Sequence, residues 1–105
     1  MAQYHIYENL SPNSKKIYPY LIDVQATILN GLETRIVIPL AEKDKFEKGI
    51  IKNLNPIITI NNKEYVLLTQ QMAGIPCKQI GISVCDCLEY RQDILSAIDF
   101  LITGI

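Results

Sequence analysis

The sequence DILSAIDFLITGI, residues 93–105, decides the C-terminal part of the fold because its apolar residues recur at helical spacing. These residues share one face of the predicted helix: Ile94, Ala97, Ile98, Leu101, Ile102 and Ile105. The opposite face is polar, with Gln92, Ser96, Asp99 and Thr103. Asp86 and Glu89 predict a capping pair at the start of the helix, and Gly104 predicts its end. Because the apolar pattern runs into Ile105, we expect this residue and its carboxylate to occupy a defined place.

Short apolar segments separated by turn residues precede this helix and are predicted to be strands. The predicted strands are Gln3–Glu8, Tyr18–Val24, Arg35–Leu40, Ile57–Ile60, Glu64–Thr69 and Cys77–Ile82. Pro39 is expected to close the third strand, because proline cannot donate a ladder hydrogen bond. Asn61-Asn62-Lys63 predicts a hairpin between the fourth and fifth strands.

The segments between the strands carry turn chemistry. Ser11–Ser14 and Asn30-Gly31 are turn signals, and 41–54 is a polar connection in which a single helical turn is possible. Residues 72–76 are expected to link the fifth predicted strand to the sixth. The fold class that follows is mainly β with one C-terminal helix, built as a strongly bent antiparallel sheet or barrel with the helix laid against it.

Composition restricts the class of protein. The 105 residues suffice for one domain, 1–105, and they are 49 % hydrophobic and 20 % charged. The net charge of −1 predicts no strong nonspecific attraction to nucleic acid. The sequence contains no apolar run long enough to span a bilayer and no pattern typical of a signal peptide, so we expect a cytoplasmic protein that does not contact a membrane.

The sequence offers few residues for catalysis or metal binding. Cys77, Cys85 and Cys87 are expected to be free thiols, and Cys85-Asp86-Cys87 would need about two further ligands for a metal site. His5 is the single histidine, with no evident nucleophile beside it. A ribonuclease would need basic side chains beside a general base, and the two arginines, Arg35 and Arg91, do not supply this. We therefore expect no enzymatic activity, no cofactor and no metal.

Aromatic residues are candidates for a binding surface. Phe100 lies near the polar face of the predicted helix, where an aromatic ring is often an interface residue. The alternative is that Phe100 packs against the sheet or a partner subunit. Tyr4 and Tyr7, on opposite faces of the first strand, have the same two interpretations.

Several short phrases of the sequence resemble the CcdB family of toxin–antitoxin toxins. They are Asp23-Val24-Gln25, Arg35–Leu40, the stretch from Met72-Ala73 to Pro76, and Asp93-Ile94 through Ala97-Ile98 to Gly104-Ile105. The resemblance covers nearly the whole chain. It implies an SH3-like barrel with extra strands and a long C-terminal helix, assembled as a homodimer. It also implies a protein that binds the A subunit of DNA gyrase, traps the enzyme with its DNA cleaved, and thereby blocks replication.

The resemblance also implies site residues. The gyrase-binding candidates are Gln3, Tyr4, Ile28, Leu29, Asp99, Phe100, Thr103, Gly104 and Ile105. Thr103 departs from the plasmid-borne members, which have a tryptophan there that can stack on a gyrase arginine. This difference implies weaker binding, compensation by Phe100 or Tyr4, or a loss of toxicity.

A second implied partner is a labile antitoxin of the CcdA type, whose disordered C-terminal segment folds on contact with the toxin. The antitoxin-binding candidates are Tyr7, Glu8, Glu42, Asp44, Lys45 and Lys48. Operator DNA is expected to bind only through the antitoxin, so that the complex regulates its own transcription. Two other interpretations are kept: an endoribonuclease toxin on a related barrel, as in the MazF family, and a degenerate, nontoxic homologue that only binds antitoxins.

Overall fold

A computed structural model describes residues 1–46 and 49–104, which form a mainly antiparallel β domain with one long helix near the C-terminus. The strands are β1 (His5–Asn9), β2 (Tyr20–Asp23), β3 (Thr34–Glu42), β4 (Ile57–Ile60), β5 (Lys63–Leu67), β6 (Ala73–Pro76) and β7 (Ile80–Asp86). The helix, α1, spans Arg91–Thr103. The expected fold class, mainly β with one C-terminal helix, is confirmed.

The centre of the sheet is β3, a strand of nine residues that pairs with three neighbours. The strand order is β4-β5-β3-β2-β1-β7, and β6 pairs with β3 as well. Val37 of β3 has partners on both sides, Asp23 of β2 and Ala73 of β6. Strands β5 and β6 therefore follow one another along the same edge of β3, and the sheet bends around its core.

The prediction that Pro39 ends the third strand is wrong, because β3 continues through it to Glu42. Pro39 lies between the segment of β3 that pairs with β6, Thr34–Val37, and the segment that pairs with β5, Leu40–Glu42. Its carbonyl oxygen accepts a hydrogen bond from Leu68 N at 3.0 Å, so its nitrogen faces the same edge. At this change of partner no ladder hydrogen bond requires a donor, and proline fits inside the strand.

The hairpin between β4 and β5 is confirmed. Its two connecting residues, Asn61 and Asn62, have φ angles of 51° and 66°. Positive φ at both central residues is the geometry of a type I′ turn, whose twist matches that of the flanking strands. Asparagine is among the few residues that adopt it at moderate cost.

The structure differs from two predictions for residues 72–82. The expected link contains a strand, β6, and the expected strand from Cys77 begins with a 3-10 turn, Cys77–Gln79, before β7 starts at Ile80. β6 has the sequence AGIP, which is poor in strand-forming residues, and it exists because the free edge of β3 pairs with it.

Helix α1 begins later than the predicted capping pair implies. A 3-10 turn, Leu88–Tyr90, comes first, and Asp86 Oδ1 accepts a hydrogen bond from Leu88 N at 3.0 Å. Asp86 thus holds the first residue of this turn, and neither the turn nor α1 has a side-chain hydrogen bond from its N-cap residue. The end of α1 is as predicted, since Gly104 has a left-handed φ of 76° and donates to Phe100 O.

The main hydrophobic core lies between the sheet and the first two turns of α1. Ile94 from the helix packs in one buried cluster with residues of the first strands, among them Ile6, Ile22 and Ile38. Ala97 is also buried, whereas Leu101 and Ile102 in the last turn are exposed. The sheet therefore covers the beginning of the helix and leaves its end open.

Candidate functional site

The connection between β2 and β3, residues 24–33, presents an exposed apolar surface. A 3-10 turn, Thr27–Leu29, shapes it, and none of the residues in this turn is buried. Ile28 is 92 % exposed, and Leu29 and Leu32 are about half exposed. Isoleucine exposed to this degree on a short turn contributes almost nothing to the core, so this surface is a candidate for binding another molecule.

A buried ion pair lies at the base of this loop. Arg35 at the start of β3 donates from Nε at 3.0 Å and from Nη2 at 2.5 Å to Oδ2 of Asp23 at the end of β2. Both side chains have no exposure to solvent. The other carboxylate oxygen, Oδ1, accepts from Gln25 N at 3.0 Å, so each charge is paired and hydrogen-bonded.

Two amide side chains extend this network into the loop. Gln25 Oε1 accepts from Ile36 N at 2.9 Å, while its Nε2 donates to Leu29 O at 3.2 Å. Asn30 Oδ1 accepts from Arg35 Nη1 at 3.3 Å and from the N-terminal ammonium of Met1 at 3.1 Å. The loop that carries Ile28 is therefore tied to β3 and to the N-terminus.

Asn30 has a right-handed conformation, with φ of −66°, and not the positive φ that an Asn-Gly hairpin turn requires. The turn predicted at Asn30-Gly31 thus belongs to a longer connection that follows the 3-10 turn.

The structure brings Gln3 and Tyr4 to the root of the same loop. Gln3 Nε2 donates to Val24 O at 3.1 Å, and Tyr4 N donates to Asp23 O at 2.6 Å. Gln3 is half-buried, but the ring of Tyr4 lies in the main core and is only 3 % exposed. The ring of Tyr4 therefore contributes to core packing and offers no accessible aromatic surface. The backbone of Tyr4 has a positive φ of 64°.

The last turn of α1 forms a second exposed segment. Ile102 is 69 % exposed, and Leu101, Thr103 and Gly104 are exposed as well. Thr103 Oγ1 donates to Asp99 O at 2.7 Å, so these two candidates contact one another within the helix. Ile105 lies outside the described residues. Phe100 is half-buried and faces residues 53–57, away from Ile102.

The sequence of this chain matches the family described as CcdB protein over residues 3–104. The chain belongs to the CcdB family. It is accordingly a toxin of a toxin–antitoxin system. The match includes both exposed segments of this CcdB-family toxin, the loop with Ile28 and the end of α1. It also includes the buried pair of Asp23 and Arg35, two residues of the phrases that carried the resemblance.

The antitoxin-binding candidates of this CcdB-family toxin lie in two places. Tyr7 is buried in a second core cluster, where its hydroxyl accepts from Ala2 N at 2.8 Å, whereas the adjacent Glu8 is exposed. Glu42 lies at the end of β3 and pairs with Lys63 at 2.6 Å and with Lys45 at 3.0 Å.

Ion pairs determine the electrostatics of the second region, around Glu42. The pKa of Glu42 is lowered, mainly by the hydrogen bond from Lys63 and next by the one from Lys45. Asp44 and Lys45 lie in a 3-10 turn, Lys43–Lys45, and Lys45 is largely exposed. Lys48 lies outside the described residues.

The buried cysteine of this toxin, Cys87, is not suited to act as a nucleophile. Burial and the neighbouring Cys85 raise the pKa of Cys87 to about 12, which is the reverse of what a thiolate nucleophile requires. His5 lies opposite Asp86 in the sheet, and its Nδ1 is 3.4 Å from Gln3 O. Within residues 1–46 and 49–104, no group of three or more His, Cys, Asp or Glu side chains could hold a metal ion.

Sequence reasoning missed Asn30 and Leu32 as parts of the loop surface. Leu32 is exposed within the same loop, and Asn30 holds the loop through Arg35. The signal that could have located Asn30 is its position five residues before a buried arginine. In the part of the chain that the structure describes, no helix is long and apolar enough to cross a membrane.

Proposed function

We propose that this toxin is a dimeric poison of DNA gyrase that binds the gyrase A subunit and traps the cleaved gyrase–DNA complex. Membership of the CcdB family supports this proposal. The observation that carries it is the 92 % exposure of Ile28 on a loop that a buried ion pair fixes from below. An exposed apolar surface that is fixed in this way is suited to insertion into a partner. It can be buried by the partner without any change in the fold of the toxin.

The proposed mechanism requires no bond chemistry from the toxin. Gyrase itself cleaves the DNA, and the toxin binds the conformation in which the break is open far better than the closed one. A ligand with such a preference shifts the population toward the open state and prevents resealing. We therefore propose that the toxin is not an enzyme and that it acts in the cytoplasm, where gyrase and DNA are found.

The exposed face of α1 supports a homodimer. Leu95, Ile98 and Ile102 follow one another along the helix at spacings of three and four residues. Leu95 and Ile102 are exposed, and Ile98 is half-buried. A second copy that packs against this stripe would bury it and would double each contact on a two-fold symmetric target.

A CcdA-type antitoxin is the second proposed partner, and it would bind away from the loop with Ile28. Glu8, Glu42, Asp44 and Lys45 remain suitable contacts because each is at least partly exposed. Tyr7 would contribute only by supporting the sheet beneath Glu8, since its ring is buried. Operator binding, and with it the regulation of transcription, would be carried by the antitoxin.

Thr103 sets the strength of the proposed gyrase contact. Threonine offers no ring to stack on an arginine, and the ring of Tyr4 is buried. Phe100 is then the one aromatic candidate with accessible surface, and Ile28 and Leu29 supply apolar contact. We expect inhibition of gyrase that depends on these apolar side chains.

The proposal is tested by incubating purified toxin with gyrase and supercoiled plasmid, followed by detergent and protease. Linear plasmid is expected, and deletion of residues 103–105 should abolish it while leaving the thermal unfolding transition unchanged. A truncated protein that still yields linear plasmid would show that the end of α1 is not the site. RNA cleavage without gyrase would favour the ribonuclease, and antitoxin binding without any gyrase effect would favour a nontoxic homologue.

A further inference from the structure

A cleft of about 360 Å³ lies between α1 and the segment that leads into β4. One wall is formed by three side chains of α1, Asp93, Ser96 and Phe100, which share a face of the helix at spacings of three and four residues. The other wall is formed by Asn53, Asn55, Pro56 and Ile57. This volume is within the range of sites that hold small ligands or single side chains.

The second wall is held by the hydrogen bonds of a buried side chain, Asn55. Asn55 is buried, and its Nδ2 donates to Leu67 O at 3.1 Å and to Gln70 Oε1 at 2.7 Å. Its Oδ1 accepts from Ile51 N at 2.9 Å. Pro56 and Ile57, which follow directly, are thereby fixed as an apolar surface that faces Phe100 across the cleft.

The first wall presents a carboxylate without a cation. Asp93 is exposed and forms no ion pair with any residue of the described ranges. Lys52, the cation next to Asn53 in the chain, is not among its partners. Phe100 is half-buried and has no ring or cation against it in those same ranges. The cleft therefore combines an unneutralised negative charge with an accessible aromatic ring.

The spacing of the Asp93 carboxylate and the Phe100 ring restricts the size and shape of a ligand that contacts both. Asp93 and Phe100 are seven residues apart, about 10 Å along the helix axis at 1.5 Å per residue. A compact cation cannot contact both. A ligand that does so has a positively charged head, an apolar stem and a further attached group, as a basic side chain on a peptide has.

We propose that this cleft binds an arginine side chain of a partner peptide, with its guanidinium on Asp93 and its stem against Ile57 and Phe100. Arginine fits better than lysine because its planar group has five donors, and Ser96 and Asn53, which also line the cleft, offer further acceptors. Guanidinium–carboxylate hydrogen bonds are among the stronger ones, since both partners are charged. Phe100 is also a candidate gyrase contact, but the preference of the cleft for arginine does not depend on which protein supplies it.

The test uses the full chain and the dipeptide N-acetyl-leucyl-arginine amide, titrated into 15N-labelled protein. The backbone amides of Asp93, Ser96 and Phe100, and those of Asn53, Asn55 and Ile57 on the other wall, should shift and saturate. The matched probe carries citrulline, which has the same shape without the charge, and should bind roughly tenfold more weakly. Asp93→Asn should remove the difference between the two probes, and Phe100→Leu should weaken both.

Glu89→Gln is the control variant, because Glu89 is an exposed carboxylate in the 3-10 turn just before the same helix, outside the cleft. It should keep the preference for arginine. Equal binding of the two probes, an unchanged preference in Asp93→Asn, or shifts centred on other acidic residues would overturn the proposal. A lysine probe that binds as well as arginine would overturn the role of the planar group. These outcomes are independent of gyrase, so they are distinguishable from a failure of the proposed function.

Discussion

Arg35 Nη2 lies 2.5 Å from Asp23 Oδ2, and the two side chains have no contact with solvent. The pair joins the end of β2 to the start of β3 and closes the loop that carries Ile28. A buried pair of this kind contributes less net stability than its geometry implies, because both charges lose their hydration. Removing one partner is far more costly, since the other charge is then buried alone.

Asp23→Asn should lower the free energy of unfolding by roughly 3–5 kcal/mol, because Arg35 would keep its charge without a carboxylate. Urea denaturation measures this difference. Lys45→Met is the control, since it removes an exposed partner of Glu42 and should cost far less. Equal losses in the two variants would contradict the stabilising role of the buried pair.

Ile28→Asn should abolish trapping of the cleaved complex and change the free energy of unfolding by no more than about 0.5 kcal/mol, as is usual for exposed positions. The reason is the 92 % exposure of the side chain. Gyrase cleavage assays and thermal unfolding measure the two effects. Ile17→Asn is the matched control because Ile17 is an exposed isoleucine outside the proposed surface. Full gyrase inhibition by Ile28→Asn would argue against this loop as a contact.

Asn62→Ala should destabilise the protein by about 1 kcal/mol, the cost of a left-handed conformation for a residue with a Cβ that lacks asparagine's local hydrogen bonding. The φ of Asn62 is 66°. Asn62→Gly should be neutral or stabilising, because glycine takes this conformation without strain. Thermal unfolding of the two variants separates them. If alanine and glycine behaved alike, the positive φ would not be a constraint on this turn.

Cys87 should resist alkylation in the folded protein. Its pKa rises from 9.0 to about 12, first because the thiol is buried and next because Cys85 is beside it. Three pKa units leave about a thousandfold less thiolate, the reactive form, than an ordinary cysteine has near neutral pH. Mass spectrometry after iodoacetamide treatment at pH 8 should find Cys77 and Cys85, which are partly exposed, modified before Cys87.

The raised pKa of Cys87 makes the stability of the protein depend on pH in the alkaline range. Because the folded-state pKa of Cys87 is raised, the unfolded chain loses this proton first as pH increases. The stabilising contribution is complete below about pH 9 and is lost as pH rises toward 12. Cys87→Ala should flatten this part of the stability curve, and an equally steep curve in the variant would assign the effect to other groups.

Patterns of local chemistry were enough to predict most elements of the fold. Two consecutive asparagines predicted the turn before β5, and the spacing of apolar residues from Ile94 onward predicted α1. Such signals are local, so they do not depend on which strand lies beside which. Gly104 likewise ended the helix as expected.

Features that depend on tertiary pairing could not be predicted. β6 forms because β3 offers it an edge, and Pro39 is accommodated because β3 changes partners there. The sequence marks Tyr4 as a candidate surface aromatic, yet backbone pairing with Asp23 places its ring in the core. Arg35 is similarly buried only because Asp23 meets it across two strands. The cleft beside Phe100 is formed by segments far apart in sequence, so no local pattern marks it.

The hydrogen bonds of Gln25 to Ile36 and Leu29 have a further consequence for association. Ordering one backbone residue costs about 1–2 kcal/mol in conformational entropy, and a flexible loop loses this entropy each time it binds a partner. In this toxin the loop is already ordered by folding, so a partner that binds over Ile28 contacts a preorganised surface. Removing the hydrogen bonds of Gln25 should therefore weaken binding of the partner mainly by faster dissociation, even though the Gln25 side chain is itself almost entirely buried.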